Sequence, residues 1–544
     1  MTSYKIKSAF IFFIFLAVYS IILLKLYFVQ VVRYDFFQEL AQKQYKISVV
    51  KKPVRGLILD RNDKPIAINK DSYSAFIMPH KLENRAQLEK FLKKNFPQAY
   101  ERLEKIEPSD HKYFIYIKRN LSDAEKKLLE NSKLEDINFI QEPSRFYPYR
   151  SLGILTGVTD IDNFGLFGIE LQYNNLLSGK EAHYLVEKDA RSKNFYFKKE
   201  TEQQGEDSEN VKLTIDADLQ FLVHEELKES VKNLKAKEGA VVIMNPDNGE
   251  ILVMTSYPDF DPNNITNVDL EKTKNKCITE TYELGSVMKV FVALAALEEG
   301  VVTADEEIDC ESRKETYVNG MKFSTVHEDG KIPFSRVVEV SNNIGMVKVA
   351  LRLDKKLYDH YKKFGFTKKT GIFAGEQAGF ITPPEQWSKR SIISLAFGYE
   401  ISANLIQLAK AFSAIVNGGY NIHPQLIFNK TCPYNEKLYS DESIQIIREI
   451  LKGTVEKGTA KRAIVKGYDI MGKTGTANMV VDGAYSYDHN VYTFTGVVEK
   501  DNYRRVIVTF IKDSELKGLY ASTTAAPLFN KVAEKLLIHD KVIN

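Results

Sequence analysis

Residues 283–300 read ELGSVMKVFVALAALEEG. After Gly285 the stretch is apolar on nearly every side, which predicts a buried, central helix that ends at Gly300. Ser286 and Lys289 are three residues apart, so the hydroxyl and the amine lie on one helix face and can touch. Burial disfavours the charged form of a lysine, and a neutral amine can act as the base that activates a serine without histidine.

Two later segments carry groups of related chemistry. Ser341-Asn342-Asn343 begins 55 residues after Ser286, and Lys473-Thr474-Gly475, followed by Thr476, begins 132 residues after Ser341. Each pattern is weak alone, because SxxK and SxN each occur four times in the chain and KTG occurs twice. A surface turn or a loop explains an isolated copy. The order and separation of the three segments make the set specific.

The N-terminus predicts a membrane anchor. No charge occurs from Ala9 to Leu24, and beyond Lys25 the sequence stays apolar to Val32. As a helix, residues 9–32 span roughly 36 Å, enough to cross a bilayer with Lys25 reaching an interface. A cleaved signal peptide is the alternative, but the tract is long for one and lacks a clear small-x-small cleavage site. The positive charges on both sides leave the orientation open.

A domain boundary is predicted near residue 205. The stretch TEQQGEDSEN, residues 201–210, is polar and acidic, as linkers are. A strand (VKLTID), an amphipathic helix over 217–234, and a hairpin of AVVIM (240–244) and ILVM (251–254) follow it. This order predicts a new α+β domain from about residue 211, with a separate module between it and the membrane.

Composition excludes several function classes. The 544 residues predict two or three domains, and a net charge of +3 does not point to nucleic acid. None of the three cysteines (Cys277, Cys310 and Cys432) lies in a CxxC pair, so neither a zinc ribbon nor a disulfide framework is predicted; whether any of them pair stays open. His224 and His327 lack a second ligand at metal spacing and are interpreted as core or surface residues.

With SxxK, SxN and KTG in this order, the chain resembles the penicillin-binding and serine β-lactamase superfamily. The second KTG copy, at Lys369, follows Ser341 by only 28 residues, too little chain for the helical subdomain that normally intervenes. The resemblance is closest to class B penicillin-binding proteins, with the division-type (FtsI-like) branch favoured over the elongation type. It rests on five further segments: RGLILDRNDKPIA (55–67), RFYPYRSLG (145–153), GLFGIELQYNNLLSGKEA (165–182), SYPDFDPNN (256–264) and FGYEISANLIQLAKAFSAIVNGG (397–419).

The resemblance implies an α+β architecture in four parts. These are a cytoplasmic tail (1–8), a transmembrane anchor (9–32), a mixed α/β pedestal or dimerisation domain (33–205), and a transpeptidase domain (211–544) with an antiparallel sheet flanked by helices plus an all-helical subdomain. It implies a single-pass protein of the bacterial inner membrane with a periplasmic catalytic domain. The implied partners are peptidoglycan stem peptides ending in D-Ala-D-Ala, β-lactams, a SEDS-type glycosyltransferase and divisome proteins; no metal or cofactor is implied.

The resemblance also implies roles for individual residues. Ser286 is the nucleophile on the D-Ala-D-Ala carbonyl, and neutral Lys289 is its base. Ser341 bridges Lys289 and a cationic Lys473 and passes a proton to the leaving D-alanine, and Asn343 holds the substrate backbone and the Lys289 amine. In the KTG segment, Thr474 and Thr476 bind the terminal carboxylate, and Gly475 belongs to the same substrate strand. The backbone N–H groups of Ser286 and Thr476 form the oxyanion hole.

Two positions depart from the family pattern. Leu284 replaces the proline that usually precedes Gly285, and Glu400 replaces the second glycine of a Gly-x-Gly. Neither departure removes a catalytic group, but Glu400 puts the rim of the site and β-lactam affinity in question.

Three alternative functions remain. A β-lactamase or D,D-carboxypeptidase uses the same groups but transfers the acyl group to water. A non-catalytic divisome scaffold or a β-lactam sensor is the alternative of another class, and the complete nucleophile, base and relay set argues against a dead scaffold. Residues 467–474 also match the phosphate-binding pattern GxxxxGK[ST], but Gly475 and the nearby Asp482-Gly483 turn leave no room for the helix that such a loop must open.

Overall fold

A computed structural model describes residues 2–51, 53–106, 114–188, 195–318, 320–428 and 436–542. The chain forms two compact units, Met1–Arg55 with Ser178–Glu209 and Gly56–Leu177 with Asn210–Asn544. The domain boundaries expected from the sequence, 33–205 and 211–544, stay a prediction. Cys432 and the SxxK copy at Ser109 lie outside the described residues.

The strands are numbered along the chain. They are β1 (Lys46–Lys51), β2 (Ile58–Leu59), β3 (Pro65–Ile77), β4 (Ile115–Lys118), β5 (Asn138–Phe146), β6 (Ala182–Lys188), β7 (Phe195–Gln203), β8 (Val211–Lys212), β9 (Ala236–Met244), β10 (Ile251–Tyr257), β11 (Glu307–Asp309), β12 (Glu315–Val318), β13 (Met321–Ser324), β14 (Lys331–Pro333), β15 (Asp469–Val481), β16 (Ala484–Lys500) and β17 (Tyr503–Ser514).

The α-helices are numbered in the same way. They are α1 (Thr2–Tyr27), α2 (Tyr34–Tyr45), α3 (Arg85–Asn95), α4 (Pro97–Glu104), α5 (Asp123–Asn131), α6 (Gly153–Thr156), α7 (Gly168–Gln172), α8 (Asn174–Ser178), α9 (Ala217–Asn233), α10 (Lys289–Glu298), α11 (Phe334–Glu339), α12 (Asn343–Leu353), α13 (Lys356–Phe364), α14 (Ser391–Ala396), α15 (Leu405–Val416), α16 (Asp441–Glu456) and α17 (Ala525–His539).

The first unit contains the predicted anchor. Residues Tyr4–Val32 form a helix with a mean hydropathy of 2.6 and none of its surface buried, long and apolar enough to cross a membrane. Its last turn, Phe28–Val32, is a π-helix, and α2 follows at Tyr34. The same unit holds a three-stranded antiparallel sheet in the order β1-β6-β7.

The second unit is built on an antiparallel sheet in the order β10-β9-β17-β16-β15. Side chains alternate between the two faces of a strand. In β17, Ile507 and Ile511 pack with α9 and α17, whereas Val508 and Phe510 belong to the larger core that contains α10 and α15. The sheet is therefore buried on both faces by helices, and β15 is an edge strand.

Several local predictions are confirmed. The predicted helix over 217–234 is α9, and the predicted hairpin is the antiparallel pair β9–β10. The stretch from Gly285 is buried as predicted, since eight of the ten residues of α10 are buried. Its first turn differs from the prediction: Gly285–Met288 is a 3₁₀ turn, and the α-helix begins only at Lys289.

The same unit has a second sheet in the order β4-β3-β2-β8, in which β5 also pairs with β3. Helices α11 to α14 lie between α10 and α15 in the chain, which accounts for the predicted helical subdomain. The helices α3, α4 and α5 cover the second sheet through a separate small core that includes Leu88, Leu92, Leu103 and Leu129.

Candidate active site

Ser286 lies in the 3₁₀ turn that opens α10. Its side chain is half-buried, and residues three apart eclipse one another in a 3₁₀ turn, which places Lys289 on the same side. In the described part of the chain, no hydrogen bond joins the Ser286 hydroxyl to the Lys289 amine. Catalytic hydrogen bonds are often long before substrate binds. The backbone places Ser286 and Lys289 on the same side of the turn, and a side-chain rotation brings the hydroxyl into contact with the amine.

Ser341 occupies the turn between α11 and α12. Its φ of +60° is in the left-handed region, which costs a non-glycine residue free energy and marks a position held by its surroundings. The turn is held by Asn342, whose N–H donates to Val337 O at 2.9 Å and whose Oδ1 accepts the Gly345 N–H at 3.0 Å as the N-cap of α12. Asn342 is buried and holds the turn, while its neighbours Ser341 and Asn343 face the lysines.

Lys289 joins the first two segments. Its Nζ donates to Ser341 O at 2.6 Å and to Asn343 Oδ1 at 2.5 Å, and it lies 3.2 Å from Ser341 Oγ. Asn343 is held in turn by the end of β13 and the residue that follows it, because its Nδ2 donates to Ser324 O at 2.6 Å and its N–H donates to Thr325 Oγ1 at 3.2 Å. The sequence contained no sign of Ser324 or Thr325, since neither belongs to a motif.

Lys473 brings in the third segment from the edge strand β15. Its Nζ donates to Ser341 Oγ at 2.8 Å and to Thr474 O at 3.2 Å. The Ser341 hydroxyl therefore lies between two lysine amines, that of Lys289 in α10 and that of Lys473 in β15. These two lysines are 184 residues apart in the sequence. Both lysines are fully buried.

Burial sets the charge state of this pair. Burial, and after it the positive charge of Lys473, lowers the pKa of Lys289 well below its ordinary range. Burial also lowers the pKa of Lys473 to about 7. The two amines therefore share fewer than two protons at neutral pH, and Lys289 is the group that is kept neutral.

Replacing Lys473 by methionine should raise the melting temperature more at about pH 6 than at about pH 9. The pKa of Lys473 is about 7 in the folded chain, below the value of 10.5 for an ordinary lysine. Between about pH 7 and pH 10.5 the unfolded chain binds more protons than the folded chain, so the free energy of unfolding of the wild type rises with pH in this window. Below it, the wild type carries the full free-energy cost of burying the charged amine. Methionine has no such proton. Thermal unfolding of both full-length proteins at the two pH values measures this; an equal difference at both would contradict the assignment.

Glycine lets the strand approach the nucleophile turn. A Cβ on Gly475 would lie 2.3 Å from Leu284 O and 3.0 Å from Val287 N, and a Cβ on Gly285 would lie 2.7 Å from Thr476 O. These are backbone atoms that cannot yield easily. The backbone of Thr476, on the free edge of β15, is thus held beside the turn of Ser286, where two N–H groups can converge on one oxygen.

The hydroxyls of Thr474 and Thr476 are each engaged by one neighbour. Thr476 Oγ1 accepts the Ala521 N–H at 3.0 Å, and Thr474 Oγ1 lies 2.9 Å from Thr459 Oγ1. Thr474 and Thr476 point to the face of β15 opposite Lys473 and Gly475, as strand alternation requires. Neither Thr459 nor Ala521 could be found from the sequence, because no spacing links them to the KTG segment.

The rim departs from the family pattern at Glu400. Its φ is +59°, the conformation that glycine adopts freely, and its N–H donates to Glu283 Oε1 at 2.8 Å. Tyr485 also donates to Glu283 Oε1, at 3.0 Å, and the Tyr399 hydroxyl accepts the Asn478 N–H at 3.0 Å. Burial, and to a smaller extent the charge of Glu400, raises the pKa of Glu283.

The phosphate-binding pattern, the second KTG copy and the two histidines noted in the sequence lie in different structural settings. The GxxxxGK[ST] match runs into the middle of β15, which continues to Val481 and returns as β16, so it does not open a helix. The second KTG begins with an exposed lysine, Lys369, and its Thr370 N–H donates to Glu376 at 2.7 Å. His224 is buried and bonds Thr255 Oγ1 at 2.8 Å, whereas His327 is exposed. Among the described residues, no group of His, Cys, Asp or Glu is arranged to hold a metal ion.

Comparison with known families identifies both parts of the chain. Residues 239–534 match the penicillin binding protein transpeptidase domain, and residues 50–213 match the penicillin-binding protein dimerisation domain. The first match covers more than half of the chain. Both domains are those expected from the sequence motifs.

Relatives match over nearly the full length. Stage V sporulation protein D of Bacillus subtilis is 31% identical over 95% of this chain and 83% of its own length. The peptidoglycan D,D-transpeptidase FtsI of Escherichia coli is 28% identical over 88% of this chain and 82% of its own. Penicillin binding protein 3 of Mycobacterium tuberculosis, in a complex with aztreonam, has a TM-score of 0.69 with 24% identity, covering 91% of this chain and 98% of that one, and shows the shared fold.

The chain therefore belongs to the penicillin-binding proteins that carry a transpeptidase domain. Within them it is a class B protein, in which a dimerisation domain precedes the transpeptidase domain. Within the described residues, one helix, at the N-terminus, is long and apolar enough to cross a membrane, as in a single-pass membrane protein.

Proposed function

We propose that this protein cross-links peptidoglycan stem peptides by D,D-transpeptidation through an acyl-enzyme on Ser286, and that β-lactams acylate the same serine. The observation that carries the proposal is the Ser341 hydroxyl, which lies 3.2 Å from the amine of Lys289 and 2.8 Å from that of Lys473. A hydroxyl between two buried amines is a proton relay from the base that receives the nucleophile's proton to the leaving group.

In the acylation step, Ser286 attacks the carbonyl carbon between the two terminal D-alanines. Neutral Lys289 takes the proton from the Ser286 hydroxyl, and the developing oxyanion is held by the backbone N–H groups of Ser286 and Thr476. One such donor contributes about 3 kcal/mol in acyl transfer. Collapse of the tetrahedral intermediate breaks the peptide bond, and a proton passes through Ser341 to the nitrogen of the departing D-alanine.

Binding of the donor depends on charge and on the edge strand. The hydroxyls of Thr474 and Thr476 hold the terminal carboxylate, Gly475 lies in the strand between them, and Asn343 holds the substrate backbone. A pKa of about 7 leaves Lys473 partly protonated at neutral pH. An incoming carboxylate favours the charged form, so substrate binding completes the cationic state of Lys473. In the second half-reaction, an amine of another stem peptide attacks the ester and Ser286 regains its proton.

The test is to locate the acyl group. The full-length protein is incubated with benzylpenicillin, digested, and mapped by mass spectrometry. One adduct with the mass of the intact drug is expected, on the peptide that contains Ser286. An adduct on Ser341, or on a serine outside the three segments, would refute the assignment.

The lifetime of this adduct separates the nearest alternative. A transpeptidase holds the penicilloyl group for many turnovers of its own reaction, whereas a β-lactamase releases it to water rapidly. The anchor helix and the dimerisation domain support the transpeptidase. A non-catalytic scaffold leaves the relay of Lys289, Ser341 and Lys473 without a purpose.

The cellular setting is also a proposal. The similarity to FtsI and to stage V sporulation protein D supports a role in septal wall synthesis. We place residues 1–8 in the cytoplasm, the anchor 9–32 in the inner membrane, the pedestal 33–205 and the transpeptidase domain 211–544 in the periplasm, and a SEDS-type glycosyltransferase and divisome proteins as partners. Depletion of the protein should then give filaments rather than round cells.

A further inference from the structure

The turn after α16 contributes to the site although it carries none of the three motifs. It comprises residues 457–460, and Thr459 in it lies 2.9 Å, hydroxyl to hydroxyl, from Thr474 of the KTG segment. Thr459 is half-buried and Thr474 is buried. This is the one hydrogen bond that the Thr474 side chain makes with the described residues.

The turn is fixed by close backbone contacts. The N–H groups of Lys457 and Gly458 both donate to Gly453 O, at 2.9 and 3.0 Å, and the Ala460 N–H donates to Thr454 O at 3.1 Å. A Cβ on Gly458 would lie 2.3 Å from Glu339 O, two residues before Ser341. The turn is therefore wedged between the element that carries Ser341 and the strand that carries Thr474.

The direction of this hydrogen bond matters for substrate binding. A threonine hydroxyl has one proton. If Thr474 donated that proton to Thr459, only its oxygen would face a substrate carboxylate, and two acceptors repel each other. If Thr459 is the donor, the Thr474 proton is free to bind the carboxylate.

Thr476 provides an internal comparison. Its hydroxyl oxygen accepts the Ala521 N–H at 3.0 Å, and a backbone N–H can only donate, so the Thr476 proton is free. The two threonines assigned to the carboxylate thus each have one partner behind them, a backbone amide for Thr476 and the Thr459 hydroxyl for Thr474.

We propose that Thr459 is a positioning residue that donates to Thr474 Oγ1 and so turns the Thr474 proton toward the C-terminal carboxylate of the donor peptide or the carboxylate of a β-lactam. This inference rests on the proposed function, in which Thr474 binds that carboxylate. The role is specific to carboxylate recognition, because among the described residues no hydrogen bond joins the Thr459 side chain to Ser286, Lys289 or Lys473.

The test compares two substrates that differ only in this carboxylate. Acylation rate constants of the full-length protein are measured with benzylpenicillin and with its methyl ester. Thr459→Val keeps the shape of the side chain but cannot donate a hydrogen bond. It should lower the ratio of the benzylpenicillin rate constant to the methyl ester rate constant about tenfold, the effect of one hydrogen bond to a charged group. Thr459→Ser should keep the wild-type ratio. Thr459→Ala also removes the hydroxyl, without the branched shape of valine, and should give the same lowered ratio; it takes the place of the valine variant where that protein folds poorly.

Thr454→Val is the matched control. Thr454 is buried in α16, one turn earlier, and its hydroxyl donates only to Ile450 O and Leu451 O of its own helix, at 3.1 and 2.8 Å. It should leave the ratio unchanged. Thr459→Val and Thr459→Ala proteins that lower both rate constants equally, or leave the ratio at the wild-type value, would overturn the inference.

Thr474→Val separates the inference from the function beneath it. If Thr474→Val lowers the ratio and Thr459→Val does not, Thr459 has no role in carboxylate binding and the proposed function stands. If neither lowers the ratio, the assignment of Thr474 to the carboxylate fails and takes the inference with it. In both cases, mass-spectrometric mapping of the benzylpenicillin adduct tests separately whether Ser286 is acylated.

Discussion

Replacement of Ser286 by alanine is expected to abolish covalent labelling by fluorescent penicillin. Alanine has no atom that can form the ester, so the loss should exceed about a thousandfold and reach the detection limit, rather than be a reduced rate. The half-buried side chain makes no hydrogen bond with the described residues, so its loss should barely change the melting temperature. The measurement is in-gel fluorescence of the full-length protein after a fixed exposure.

Ser109→Ala is the matched control for this experiment. Ser109 also opens an SxxK sequence (SDHK), within a polar stretch of sequence, and its replacement should leave labelling at the wild-type level. Labelling that survives in Ser286→Ala, with a normal melting temperature, would remove Ser286 from the mechanism.

Replacement of Lys289 by methionine is expected to lower the acylation rate constant by about two to four orders of magnitude, the usual contribution of a general base. Methionine matches the buried, unbranched stem but cannot take a proton. Lys289→Arg should be as slow, because a guanidinium stays protonated and cannot act as a base. Time courses of penicillin acylation measure both rates.

The structural cost of this change needs its own measurement. Lys289 donates to Ser341 O and Asn343 Oδ1, and methionine leaves these acceptors without a donor. The melting temperature and the far-UV circular dichroism spectrum therefore accompany the rates. Lys369→Met, at the exposed lysine of the second KTG, should react as the wild type does. A folded Lys289→Met protein within about tenfold of the wild-type rate would show that another group is the base.

Local elements were predictable because their causes are local. The apolar run after Gly285 could only be a buried helix, and α10 is one. The turn residues between 244 and 251 required a hairpin, and β9–β10 is one. The 3₁₀ geometry of Gly285–Met288 was not predictable, because it depends on the strand that packs against it at Gly475.

The candidate active site likewise has a part that the sequence predicted and a part that it did not. The order and spacing of three segments indicated which serines and lysines belong together, but spacing carries no information on which partners lie behind them. Thr459, Ala521, Ser324 and Thr325 have roles only because the chain returns to the KTG strand and the Asn343 turn from distant positions. Nothing in their own neighbourhoods marks them.

The sequence by itself determined the anchor, the buried nucleophile helix and the family, since each depends on residue types at fixed separations along the chain. Only the tertiary structure decided that the pKa of Lys473 is lowered together with that of Lys289, and which groups surround Thr474 and Asn343. A pKa depends on how much water is excluded and on which charge lies nearby, and hydrogen-bond partners depend on distances through space. Both are set when strand β15 packs against the turn of Ser286, and a linear chain specifies neither.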